Sequence, residues 1–142
     1  MAETAVPERG LLDTSTVIML DRIDPRTLPD ELAIAAITMA ELAAGPHATN
    51  DLAERSRRQE RLQRTEATFD AIPFDVDCAR AYGRVFAQTL AAGRRPRGRR
   101  AVDLLIAATA LAVGLPLYSA NPADFAGLEV LIDLEAIKPS AA

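Results

Sequence analysis

The sequence predicts an α/β fold, a central, mostly parallel sheet of short strands with helices on both faces. Three observations predict it. Short apolar runs that read as strands alternate with helical stretches along the whole chain, the pattern of parallel strands joined by helical crossovers. Leu104–Val113 is apolar on every side, so a helix there is buried rather than amphipathic. The chain has 142 residues, 49% of them hydrophobic, which suits one compact domain over residues 1–142 with a real core.

Taken in order, residues 1–9 are a polar N-terminal extension without the apolar core of a signal segment. Gly10–Asp13 is a very short strand ending on an acid, and Thr14 to Leu20 a helix. Asp21–Asp30, with two prolines, is a loop or a broken helix end. Leu32–Ile37 is a second strand candidate weakened by its alanines, running into a short helix that begins at Thr38 and stops at Gly45-Pro46. Asn50–Asp70 is a charged helix with Glu54/Arg58 and Glu60/Arg64 in the favourable i, i+4 order; its sparse apolar positions predict a projecting arm.

Ile72–Phe74 is a brief extended piece, and Asp75 or Asp77 caps the next helix. In that helix Ala79, Tyr82, Phe86 and Leu90 share a face, as core or interface residues. Ala92–Arg100, centred on GRRPRG, reads as a basic loop. Asp103 opens the buried helix and Gly114 stops it. Leu115–Tyr118 is an interior strand, and Ser119-Ala-Asn121-Pro122 a turn carrying Asp124 and Phe125. Leu128–Leu134 reads as a last strand and residues 138–142 as a polar tail.

Composition excludes several classes. A net charge of −4, from 20 acidic against 16 basic residues, does not suit a chain that coats nucleic acid non-specifically, so any polyanion contact is local. Cys78 and His47 are each the only residue of their kind, which removes an internal disulfide, a cysteine cluster and a multi-histidine metal site. Cys78 suits a small apolar packing role and His47 an exposed loop. No uncharged apolar run reaches the ~18 residues that cross a bilayer, and the expected location is the cytoplasm.

Helices that follow parallel strands begin at the edge where those strands end, and that edge is where α/β folds bind ligands. Asp13, Glu41, Asp103 and Asp124 all arrive there. Each also has a structural explanation. Thr38-x-x-Glu41 fits a capping box, Asp103 suits the dipole of a first helical turn, and Asp13 or Asp124 can serve as N-caps. Gathered in one crevice, however, carboxylates repel and raise one another's pKa unless a cation lies among them. An all-oxygen site without His or Cys suits Mg²⁺ or Mn²⁺. Such a site can orient water and neutralise charge on a phosphodiester. Arg97, Arg99 and Arg100, just upstream of Asp103, are either its phosphate contact or a solvated charge run.

The segments LLDTS with Asp13, TMAEL with Glu41, and VDLLIAATALAVGLPLYSANPADF with Asp103 and Asp124 resemble the PIN-domain ribonucleases, more closely the VapC toxins of bacterial type II toxin–antitoxin systems. The resemblance implies a PIN-like fold and a Mg²⁺- or Mn²⁺-dependent endoribonuclease. In it Asp13, Glu41 and Asp103 match the acidic triad, Asp124 a more variable fourth acid, and Ser15, Ser119 and Asn121 supporting polar positions. It further implies a homodimer, an RNA substrate of the tRNA or rRNA class, and a VapB-type antitoxin whose C-terminal segment blocks the acidic pocket. The extension before Asp13 and the Arg-rich loop depart from a typical short member.

Two other Mg²⁺-binding α/β folds fit less well. A receiver domain needs a lysine after a late strand, and the only lysine is Lys138; a haloacid-dehalogenase phosphatase needs an acid where Ser15 stands. From a different class, the alternative is a catalytically silent PIN-fold module that binds RNA or is sequestered by an antitoxin.

Overall fold

The structure is a computed structural model that describes residues 8–141; most of the N-terminal extension and the last residue of the tail lie outside it. Its centre is a five-stranded sheet in the order β3-β2-β1-β4-β5. The strands are β1 (Arg9–Leu12), β2 (Glu31–Ala35), β3 (Ala71–Ile72), β4 (Leu117–Ser119) and β5 (Leu134–Ala136). All paired neighbours are parallel, as the sequence predicts. The helices are α1 (Thr14–Ile18), α2 (Ala36–Ala44), α3 (Leu52–Thr68), α4 (Val76–Ala91) and α5 (Arg99–Val113).

Side chains alternate across a strand, so neighbours in β1 face opposite cores. Leu11 packs with Val85, Leu104, Ala107 and Ala108 from α4 and α5. Leu12 packs with Val17, Ile34 and Leu42 on the other face, where Leu62 and Phe69 also close in. The sheet is therefore covered on both faces, which parallel strands require. The buried helix reads as expected: Leu104 and Ile106 to Ala110 are buried, and Gly114 ends it at φ 69°, a left-handed conformation glycine adopts without steric cost.

Sequence and structure part in several places. The strand expected over Leu32–Ile37 ends at Ala35, and α2 starts at once on Ala36, because alanines serve both states and no turn residue separates them. α3 does not project: Leu62, Thr65 and Phe69 fasten it beside α2. Asp75, not Asp77, caps α4, its Oδ1 accepting from the Cys78 amide at 3.0 Å. The core face of α4 is Cys78, Ala81, Val85 and Thr89, whereas Phe86 and Leu90 are exposed. Arg99 and Arg100 are already helical, so the basic loop spans only residues 92–98. The last strand is Leu134–Ala136; Leu128 and Ile132 lie in preceding turns, and their apolar spacing reflects contact with the core rather than a strand. Ser140 in the tail is tied down, its amide and hydroxyl donating to the Arg22 carbonyl while the Arg22 guanidinium donates back to its own.

Candidate active site

β1 leads to β2 and β3 on one side, whereas β4 and β5 add on the other, so the connection order reverses beside β1. A crevice opens outside the carboxyl ends of strands at such a point. Asp13 follows β1 directly, and Ser119 closes β4. A cavity of about 460 Å³ lies there, lined by all four predicted acids, Asp13, Glu41, Asp103 and Asp124, together with Ser15 and Asn121.

Asp13 is only 4% exposed and surrounded by donors. Its Oδ1 accepts from the Thr16 amide at 2.9 Å and the Thr16 hydroxyl at 2.6 Å. Ser119 Oγ, fully buried, donates to Oδ2 at 2.5 Å, and Ser15 Oγ lies 2.9 and 3.0 Å from the two oxygens. Asp13 does cap α1, as its bland reading had it, but two serines and a threonine hydroxyl also converge on it. These bonds replace the water that burial removes. Asn121 lines the cavity with its side chain while its amide donates to Ser119 Oγ at 3.0 Å, which orients that hydroxyl.

Glu41 is not part of a capping box. The N-cap of α2 is Ala35, Thr38 lies inside the first turn, and Glu41 sits on the following turn, facing the cavity. Thr14 Oγ1 donates to Glu41 Oε1 at 2.5 Å and stands 3.1 Å from the buried Thr38 hydroxyl. Asp103 is the fifth residue of α5 rather than its first, because the helix begins at Arg99. Asp124 rides on a 3₁₀ turn, Pro122–Phe125, pinned by buried Phe125. The basic loop reaches that turn, with Arg94 Nη1 donating to the Ala123 carbonyl at 3.2 Å, and α4 holds the segment just after it, with Gln88 Nε2 donating to the Gly127 carbonyl at 3.0 Å.

Asp103 accepts no hydrogen bond among the described residues. Its carboxyl is pushed up from 3.8 to about 7, first by desolvation, then by the charges of Asp124, Glu41 and Asp13, with Arg99 opposing. Arg97, Arg99 and Arg100 line an adjoining cavity with Asp103 and Asp124, and Arg99 lines the acid cavity as well. Residues that sequence reasoning left without a role in the site complete it: Thr16 and Thr14 hold the acids, Thr38 meets the Thr14 hydroxyl, and Glu54, Arg58 and Arg61 of α3 form a further wall. Only the Asp13-Thr-Ser-Thr16 cluster signalled the first of these, since hydroxyls directly after an acid can fold back on it.

Among the described residues no three acidic, histidine or cysteine side chains are drawn together closely enough to enclose an ion as they stand. The donor set nonetheless fits a hard divalent cation. It is all oxygen, it shares one cavity, and desolvation together with the neighbouring carboxylates raises the Asp103 carboxyl to about 7.

A parallel sheet with an acid cavity at its reversal point defines an α/β domain of the kind that gathers carboxylates for a divalent cation, and the comparison with known families narrows that class. The PIN domain profile matches residues 11–129, and the chain belongs to the PIN-domain family, within it to the VapC ribonucleases. It is similar to Ribonuclease VapC5 of Mycobacterium tuberculosis, with 33% identity over 138 residues, 95% of this chain and 98% of that protein. Ribonuclease VapC8 of the same species is 38% identical over 102 residues, 71% of this chain and 89% of its own. The solved structure of VapBC-5, a toxin–antitoxin system of M. tuberculosis, contains a chain that superposes with a TM-score of 0.79 at 34% identity, covering 93% of this chain and 99% of that one.

Proposed function

We propose that the chain is a divalent-metal-dependent endoribonuclease, the toxin of a toxin–antitoxin pair, which hydrolyses RNA phosphodiester bonds at the cavity lined by Asp13, Glu41, Asp103 and Asp124. The observation that carries this reading is the arrival of four acids from four separate elements in one cavity at the sheet's reversal point, in a chain whose relatives are named ribonucleases. Asp103, Glu41 and Asp124, with Asp13 behind them, would hold Mg²⁺ or Mn²⁺. When bound, such an ion lowers the pKa of a coordinated water and neutralises charge on a phosphodiester.

The chain's own groups do the rest. Ser15, Thr16 and Ser119 fix the Asp13 carboxylate in one orientation, and Thr14 fixes Glu41, so the site is preorganised before substrate arrives. Arg97, Arg99 and Arg100 contribute positive charge beside Asp103 and would meet the RNA backbone. The likeness to a chain of VapBC-5, a toxin–antitoxin system, supports a VapB-type antitoxin as the partner, and in this proposal its C-terminal segment blocks the acid cavity. A homodimer, a substrate of the tRNA or rRNA class and action in the cytoplasm complete the proposal. Among the described residues no helix is long and apolar enough to cross a membrane.

The test is cleavage of total RNA by the purified chain with Mg²⁺ or Mn²⁺, and again in EDTA, with the cut ends mapped. Cleavage that requires the ion supports the proposal. RNA binding without cleavage under any metal returns the chain to a silent binding module.

A further inference from the structure

The wall facing the acids is α3, where Glu54, Arg58 and Arg61 follow one another at i, i+4 and i+7 and so share a helical face. Arg58 is held from two sides. Its Nε donates to Glu54 Oε1 at 3.1 Å and its Nη1 to the Gly45 carbonyl at 2.9 Å, which fixes the guanidinium plane. Those two bonds alone would make Arg58 a tie between α3 and the end of α2. Arg61 has no such explanation. It is half-buried, its guanidinium makes no hydrogen bond or ion pair among the described residues, and it lines both the acid cavity and the neighbouring apolar groove beside Ile18 and Phe69. An arginine that shares a cavity with five carboxylates, Glu54 among them, and pairs with none carries an uncancelled charge.

We propose that Arg58 and Arg61 are a phosphate clamp on α3, holding the RNA backbone on the side of the acids opposite Arg99, so that the strand crosses the carboxylates between two arginine walls. The inference rests on the ribonuclease reading. Arg58, preorganised by Glu54, presents its remaining N–H groups in a fixed plane, the arrangement that suits a phosphate's oxygens. Arg61 supplies the unpaired charge one turn further along. The sign of the wall also matters. On the side away from Arg99 a backbone phosphate flanking the scissile one would otherwise meet carboxylates without a cation, and a cationic wall offsets that repulsion.

The experiment measures affinity for a single-stranded RNA oligonucleotide across a salt series in Mg²⁺, with Asp103→Asn present throughout to stop cleavage. Adding Arg61→Ala should weaken binding about tenfold. It should also reduce the slope of log affinity against log salt by about 0.7, the release expected for one lost contact to a single strand. Arg61→Lys should keep the slope, and Arg84→Ala, on the exposed side of α4, should change neither quantity. Arg58→Ala should act in the same direction, its melting temperature being recorded because it also unties Gly45; Arg61→Ala breaks no tie and stands without that control. An unchanged affinity and slope for Arg61→Ala overturns the clamp. If the chain with Asp103 intact cleaves RNA, that result sinks the clamp alone; if it neither cleaves nor binds RNA, the ribonuclease reading falls and the clamp with it.

Discussion

Asp13 and Asp103 line the same cavity in opposite circumstances. Asp13 is almost wholly buried, yet Ser15, Thr16 and Ser119 surround its carboxylate with donors. Asp103 is more open, but among the described residues nothing donates to it, and desolvation, then the charges of the three other acids, push it to about 7. The difference teaches how such a site divides its labour. One carboxylate is held in a fixed orientation by the protein's own donors; the other is left without a donor, a place that an incoming cation can fill.

Substitution separates the two most sharply. Asp103→Asn should lower RNA cleavage by about 10³-fold, the scale of several kcal/mol of lost charge stabilisation, while leaving the fold intact. Wild-type cleavage by this variant would dissolve the contrast. Asp13→Asn should abolish cleavage too, but it should also destabilise the fold by about 3 kcal/mol, because buried donors lose a charged acceptor. Urea denaturation of the two variants side by side checks this, and equal stability would break the comparison. Ser119→Ala removes one of Asp13's donors and should cost about 1–2 kcal/mol by the same measurement.

The pH dependence sharpens the contrast further. Asp103 titrates near 3.8 when unfolded and near 7 in the native, metal-free protein, so the native state holds this proton more tightly. Its contribution to stability is present below pH about 4 and is lost as pH rises through 7. In EDTA, therefore, the melting temperature of Asp103→Asn minus that of wild type should grow between pH 4 and pH 8. A difference flat across that range would mean that Asp103 is not crowded by its neighbours.

Much of this was legible beforehand where a residue type has one physical use. The apolar run from Leu104 is largely buried as far as Ala110 and opens to solvent only at its Val113 end, Gly114 could only stop it, and short apolar segments separated by helices predicted parallel strands. Positions with two uses misled. Alanines blur the boundary between β2 and α2, and that blur gave Thr38-x-x-Glu41 the look of a capping box when both residues lie inside the helix. Leu128 and Ile132 are apolar because they touch the core, which a turn achieves as well as a strand. Charged α3 looked unanchored because few residues fasten it, and so its arginines looked solvated. That Arg58 and Arg61 face the acids depends on how α3 packs beside α2, a property of tertiary packing with no signal in local spacing.

The most direct test of the central claim, that a divalent cation completes this acid cavity, is the melting temperature during a Mg²⁺ or Mn²⁺ titration of wild type and Asp103→Asn, without RNA. Wild type should gain stability with ion concentration, by about 2.7 kcal/mol at a hundredfold excess over Kd, and the variant should gain much less. No gain in wild type, or an equal gain in both proteins, would contradict it.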